Sequence, residues 1–339
     1  MAEDDQYSTQ RNAANRCRFD INSKKGHYES YFLRANHPEK PYAFWIRYTV
    51  FVPKGKPENS IGELWAIFFN GETHQVTAVK EELPLAQCAF SSEGLSVNMG
   101  DRARLVPGKA QGAAALNGHQ ISWQLHYGNG EKPLLLLPEV LYSTPLPKAK
   151  ALVGNPNVRY RGSLVVDGNS IAIDNWQGSE NHNWGEKHTD YYAWGQVAGF
   201  DNDPQAFLEV ATARLKIGPI WTPWMTTLVI RVDGEEIKLN NLWNATRAKA
   251  TFNYFNWHIE TAQGDTSVVC DIYGLRYDFV GLNYYNPPGG TNICLNSKIA
   301  GCRLQIKRQG KPQRVLETRN RAAFEILTAD RSHGVKVVA

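Results

Sequence analysis

Between Asp174 and Phe200 the chain reads DNWQGSENHNWGEKHTDYYAWGQVAGF, with three Trp, two His and four Gly in 27 residues. Three chemistries fit these residue types. His182, His188 and Asp190 are conceivable metal ligands, although His-x5-His-x-Asp is not a recognised ligand spacing. The Asn and His side chains could instead satisfy the backbone of a loop, with Trp plugging a barrel mouth. The third reading is an aromatic-lined acid site. Trp176, Trp184 and Trp194 would offer π-faces to a cation within about 6 Å, at roughly 0.5–2 kcal/mol each. His182 would hold or relay a proton near neutral pH.

Protonating an alkene needs a stronger donor, such as a carboxylic acid kept neutral by an apolar site. AFLEVATARL (206–215) supplies one. Strand alternation puts Phe207, Glu209, Ala211 and Ala213 on one face. The competing reading of Glu209 is a salt bridge to Arg214 or Arg231. Glu63 in GELWAIFF is a parallel case; Arg47 on the preceding strand is its natural partner, so Glu63 reads as structural.

The elements that must position these groups are strands. YAFWIRYTVFVP (42–53) is β-branched and aromatic and stops at a Pro. One of its faces carries Phe44, Ile46, Tyr48 and Val50, the other Trp45, Arg47, Thr49 and Phe51. Short strands separated by Gly, Pro, Asn or Ser continue through the chain, with Asp-Gly hairpins at 167–168 and 233–234. No long window shows a 3.6-residue period. A Pro/Gly/Asn-bearing connection at 145–157 divides two series of similar strand density. The expectation is an all-β protein of two tandem antiparallel barrels or sandwiches: a flexible N-terminus over 1–25, then domains over 26–150 and 151–339.

The chain lacks GxSxG, a Walker loop, a dinucleotide-binding glycine motif, HExxH and zinc-finger spacing. What remains is acid/base work in an apolar cavity, or binding alone, with no metal or cofactor expected. A net charge of +4 spread over 339 residues leaves no nucleic-acid footprint. No run approaches the ~18 apolar residues of a spanning helix, and the polar N-terminus lacks a signal-peptide core. A cytoplasmic protein with its five cysteines reduced is expected.

DNWQGSENHNWG followed by AWGQVAGF resembles the signature of the carotenoid 1,2-hydratase, tocopherol cyclase and AttH-like group. ESYFLRAN (29–36), FWIRYTVF, GELWAIFF and NPPGGTNICLNSKIAG (286–301) are similar to AttH-like members, so the resemblance covers roughly 26–310. It implies two lipocalin-like halves in tandem and protonation of an isoprenoid alkene without a cofactor. Water or an internal nucleophile then captures the cation; related fungal proteins steer pericyclic closures. The hydratase pattern has a His-x-Trp pair and then a Tyr-x-Asp pair. His182 and Trp184 match the first, while Phe207 and Glu209 stand in place of the second. The lost tyrosine hydroxyl counts against carotenoid hydration and suits cyclisation, which excludes bulk water.

The resemblance implies a cyclase or hydratase acting on an apolar, isoprenoid-like (terpenoid) substrate in a barrel cavity. Glu209, His182 and Trp184 would carry catalysis. Trp176, Trp194, Phe207, Asn181 and Tyr192 would contact the substrate. ENHNWG would sit at the mouth of the second barrel, where the halves meet. The alternatives are a lipocalin-like carrier of an apolar ligand, and a pericyclase or isomerase. The expected partner is an apolar small molecule, with transient access to a membrane surface to collect it.

Overall fold

The computed structural model describes residues 7–20, 24–128 and 130–338. Two antiparallel sheets built to one plan account for most of them. Each opens as a four-strand meander. In the first sheet these are His27–Asn36, Tyr42–Val52, Ile61–Asn70 and Gln75–Pro84. In the second they are Tyr191–Phe200, Asp203–Arg214, Met225–Val232 and Glu235–Leu239. Shorter strands follow, and a long hairpin ends each sheet: Ala149–Val166 with Asn169–Gly185, and Thr291–Arg308 with Arg314–Thr328. The last arm of each hairpin returns to pair with the first strand of its own sheet. The meander's far edge then approaches the shorter strands, so each sheet rolls into a barrel. Both Asp-Gly hairpins are present, with φ of 49° and 83° at Asp167-Gly168 and 53° and 74° at Asp233-Gly234. These left-handed pairs are what a two-residue type I′ turn requires.

Alternation decides what each barrel holds. Phe44, Ile46 and Tyr48 point inward and pack with Tyr31, Trp123, Tyr160 and Trp176. Trp257, Phe279 and Phe324 fill the second interior. Aromatic rings pack both interiors, and the large apolar cavity described below lies between the sheets rather than inside a barrel. Trp45, Trp65 and Phe32 point the other way and meet Val280, Leu282, Tyr284 and Leu327 of the second sheet. Strand Tyr42–Val52 is buried on both faces because one face serves a barrel core and the other the junction between sheets.

Two boundaries differ from expectation. A cut at 150/151 falls inside strand Ala149–Val166, which, with Asn169–Gly185, belongs to the first sheet. The sheets change over between Gly185 and Tyr191. The Gly154-Asn155-Pro156 signal that reads as a linker is absorbed as register shifts between Val153 and Val158, since bulges accept an extra residue without ending a strand. At the N-terminus, residues 7–20 are not frayed. Ser8–Asn15 is a helix with Arg11 and Asn15 buried against the first sheet; its sequence, STQRNAAN, buries polar residues and so has no apolar period to reveal it. Residues 1–6 and 21–23 of the expected flexible terminus lie outside the described residues.

Candidate active site between the two sheets

Outward faces of the two sheets enclose a cavity of about 390 Å³, within the usual range for small-molecule sites. Phe32, Trp45 and Arg47 line it from the first sheet, and Tyr192, Trp194, Glu209 and Ala211 from the second. The segment 134–148 covers it with Leu136, Leu137, Leu141 and Leu146. Lys150 Nζ pins that cover by donating to the carbonyls of Thr144 (2.8 Å) and Pro147 (3.0 Å). Leu146, Ile217 and Leu242 are exposed at the mouth. Beside them stand the exposed Ile220 and Trp243, the latter under the Arg247 guanidinium.

Glu209 sits opposite Gln196 on the neighbouring strand, with Trp194 two residues away on the same face. Its Oε1 accepts Trp194 Nε1–H (2.7 Å) and its Oε2 accepts Gln196 Nε2–H (2.8 Å). Neither Arg214 nor Arg231 reaches it. Arg231 pairs with Glu131 and Glu236, and Arg214 donates to the Thr222 carbonyl. Gln196 also donates to Asn181 Oδ1 (2.7 Å), while its own oxygen accepts Ser179 Oγ (2.7 Å) and Arg34 (3.2 Å). Burial pushes the Glu209 pKa up to about 7, against the pull of the Trp194 and Gln196 hydrogen bonds. Indole and amide N–H groups only donate. A proton on Glu209 therefore finds no acceptor in either of them.

His182 is not part of this network. Positions 176, 180, 182 and 184 share the inward face of Asn169–Gly185, whereas 179, 181 and 183 face the junction. The imidazole stacks on Tyr31 (4.3 Å) and its Nε2–H donates to Glu29 (2.7 Å). Nδ1 lies 3.3 Å from the Arg18 guanidinium. Burial holds His182 below the usual histidine range despite Glu29. Burial would raise Glu29, but hydrogen bonds from His182 and His27 outweigh it and keep the carboxylate ionised. Glu29 also accepts the Arg18 backbone N–H, so this cluster fastens residues 17–18 to the first barrel.

The structure thus sorts the predicted residues by strand parity. Glu209, Trp194, Tyr192 and Asn181 border the cavity between the sheets. His182 borders it only as a neighbour in the wall, with its ring engaged on the other side. Trp184 carries the Arg18 guanidinium 3.7 Å from its ring centre, so that face is already occupied by a cation. Trp176 is a core residue packed on Phe44. Phe207 shares the outward face of Glu209 but lies beneath Leu134 and Leu136, off the cavity. ENHNWG is a strand of the first sheet, not a loop at the second barrel's mouth. His182, His188 and Asp190 do not converge: His188 stacks on Tyr28 (3.8 Å), and Asp190 pairs with Lys187.

Glu63 pairs with Lys80 (2.8 Å) rather than Arg47. Sequence reasoning missed Arg34, Gln196, Lys298 and Glu325. Lys298 is fully buried and donates to Glu325 (2.7 Å), which lines the cavity opposite Trp194. A Lys in CLNSKIAG and a Glu in AAFEIL were the available signals. Tyr284 also lines the cavity, whereas Asp278 pairs with His74, away from it. All five cysteines are free, and no helix among the described residues is long and apolar enough to cross a membrane.

No protein-family model matches the sequence. In sequence, the chain is 24% identical over 204 residues to an uncharacterized protein found in two strains of Mycobacterium tuberculosis, covering 59% of this chain and 61% of that protein. In structure, it is similar to an AttH candidate from Nitrosomonas europaea (TM-score 0.56, 11% identity, 90% of this chain and 92% of that one). It is also similar to kievitone hydratase from Nectria haematococca (TM-score 0.57, 12% identity, 94% and 91%). A third match is CghA (TM-score 0.53, 10% identity, 90% and 89%). The chain has the tandem lipocalin-like fold of the AttH-like and hydratase proteins, as its NHNWG-bearing strand and the rest of its pattern led us to expect.

Proposed function

We propose that this chain is an enzyme, a cofactor-independent cyclase or hydratase that protonates an apolar, isoprenoid-like substrate between its two sheets. The observation that carries the reading is Glu209: a buried carboxyl at the cavity wall, with its pKa raised to about 7 and both oxygens held by groups that can only donate. Protonated, it is oriented to give its proton to an alkene carbon. The C=C π pair forms the new C–H bond, and the Trp194 face and the Tyr284 ring border the resulting cation. An internal hydroxyl, or water, then adds and returns its proton to the carboxylate. Asn181 acts through Gln196, and His182 and Trp184 act as positioning residues that fix the strand carrying Asn181. That one neighbour in fold is named a hydratase supports a catalytic role. The apolar rim, with Trp243 beneath Arg247, suits brief contact with a membrane surface from the cytoplasm.

A second reading, an isomerase or pericyclase, is favoured by two cations at or beside the cavity wall. Arg47 borders the same cavity, and the Lys298 ammonium lies 5.4 Å from the Trp194 ring. Glu325 offsets the Lys298 charge, but that of Arg47 has no such partner and opposes a carbocation.

Incubation with linear prenylated phenols and acyclic polyenes in deuterated water separates these readings. A product with deuterium on carbon, absent from a Glu209→Gln control, supports proton-initiated chemistry. Conversion without carbon-bound deuterium supports the pericyclase. Retention of the compounds without conversion by either protein means a carrier.

A further inference from the structure

Arg47 is 4% exposed and lines the cavity. Its guanidinium carries five N–H donors, yet its side chain makes one hydrogen bond, to Ser30 Oγ (2.7 Å), and its Nε has no partner. Neighbouring acids are committed elsewhere: Glu63 to Lys80 (2.8 Å) and Glu325 to Lys298 (2.7 Å). The other buried cations of the region are held by more bonds, although the Arg34 Nε also has no partner. Arg34 donates to the Gln196 and Arg321 carbonyls, and Lys150 to those of Thr144 and Pro147. Trp45, 1% exposed on the same face two residues before Arg47, also has an indole N–H without a partner. The Arg47 guanidinium lies 5.9 Å from the Trp45 ring and 4.5 Å from that of Tyr284. Unmet buried donors are costly, and here two of them border one apolar cavity.

We infer that the cavity takes a molecule whose apolar body ends in an oxyanion head, a carboxylate, enolate or phenolate, seated against Arg47 and the Trp45 N–H. The inference rests on the reading of the inter-sheet cavity as the substrate site, and it names the substrate's chemistry. An anionic head also neutralises the charge that opposes a carbocation near Trp194. The apolar body then runs under Leu136 and Leu141 toward the mouth at Ile217.

The test compares binding of dodecanoate and dodecanol to the full chain at pH 8, by calorimetry and tryptophan fluorescence. Wild type is expected to bind the carboxylate at least about tenfold tighter, the scale of a charge-assisted hydrogen bond. Arg47→Met should erase that preference while keeping alcohol binding. Trp45→Phe, which removes only the donor and some ring, should reduce the preference and covers the case in which Arg47→Met fails to fold. Equal affinity for both probes in wild type, a preference unchanged in both variants, or binding of neither probe overturns the inference. Binding is read without turnover: a preference that persists where no deuterium is incorporated would sink the proton-transfer reading and leave this one standing.

Discussion

The second strand of the first sheet turns Trp45 and Arg47 toward the junction; the second strand of the second sheet turns Glu209, Ala211 and Ala213 toward it. The interiors of the two barrels are alike, each sealed by aromatic rings around a shared strand plan. Their outward faces differ in charge. The first brings unmet donors, the second a raised acid and the Lys298–Glu325 pair. The repeated plan therefore accounts for stability, and the departures from repetition are what the proposed chemistry draws on.

The largest effect that sharpens this contrast is on turnover. Glu209→Gln should lower kcat by about 10²–10⁴-fold, the usual worth of a general acid, with the thermal midpoint retained. A variant that stays active would remove Glu209 from the chemistry. Stability of the paired cation comes next. Lys298→Met leaves Glu325 buried without its partner and should cost about 3–5 kcal/mol in denaturant unfolding. Trp257→Ala, inside the second barrel, should cost a similar ~3–5 kcal/mol yet leave the preference between dodecanoate and dodecanol unchanged. A changed preference would show that the interiors are not independent of the junction.

The pH dependence is the next effect. The folded state keeps a proton on Glu209 that the unfolded chain releases near the ordinary carboxyl value. Wild type should therefore lose stability relative to Glu209→Gln as pH rises from about 4.5 to about 7, by up to about 1.4 kcal/mol per unit, and level off above. Activity of the protonated acid should fall as pH rises through about 7. Trp194→Phe removes a hydrogen bond that holds this pKa down, so its activity limb should move to higher pH. A limb that moves down, or stays, would detach Trp194 from the acid. Smallest of all, Trp243→Ala at the rim should change stability by less than about 0.5 kcal/mol while reducing co-flotation with anionic liposomes.

The all-β plan, the Asp-Gly turns and the two faces of 42–53 were legible because period-two alternation and turn residues are local signals. Glu209 was legible for the same reason, as an acid in a strand of small and apolar residues. The placement of His182 and Trp184 was not. A strand buried on both faces has no polar side to reveal which parity looks into the site, so adjacent residues such as Asn181 and His182 read alike. Arg47 and Glu63, one strand apart, looked like partners. Lys80, reached only through the next pairing, takes that role. The boundary at 150 failed because a Pro-containing bulge and a linker share their composition.

The returning hairpin has a consequence for synthesis on the ribosome. Strand His27–Asn36 waits for Asn169–Gly185 before its second edge is covered, and such distant pairing is slow to form. Until then, a nascent first half exposes a long open edge, and the apolar outer face of Trp45 and Trp65 stays bare longer still, until the second sheet brings Val280, Leu282 and Tyr284 onto it. A fragment ending near residue 150 would keep both exposed, inviting aggregation, whereas one ending after Gly185 would own every strand of its sheet.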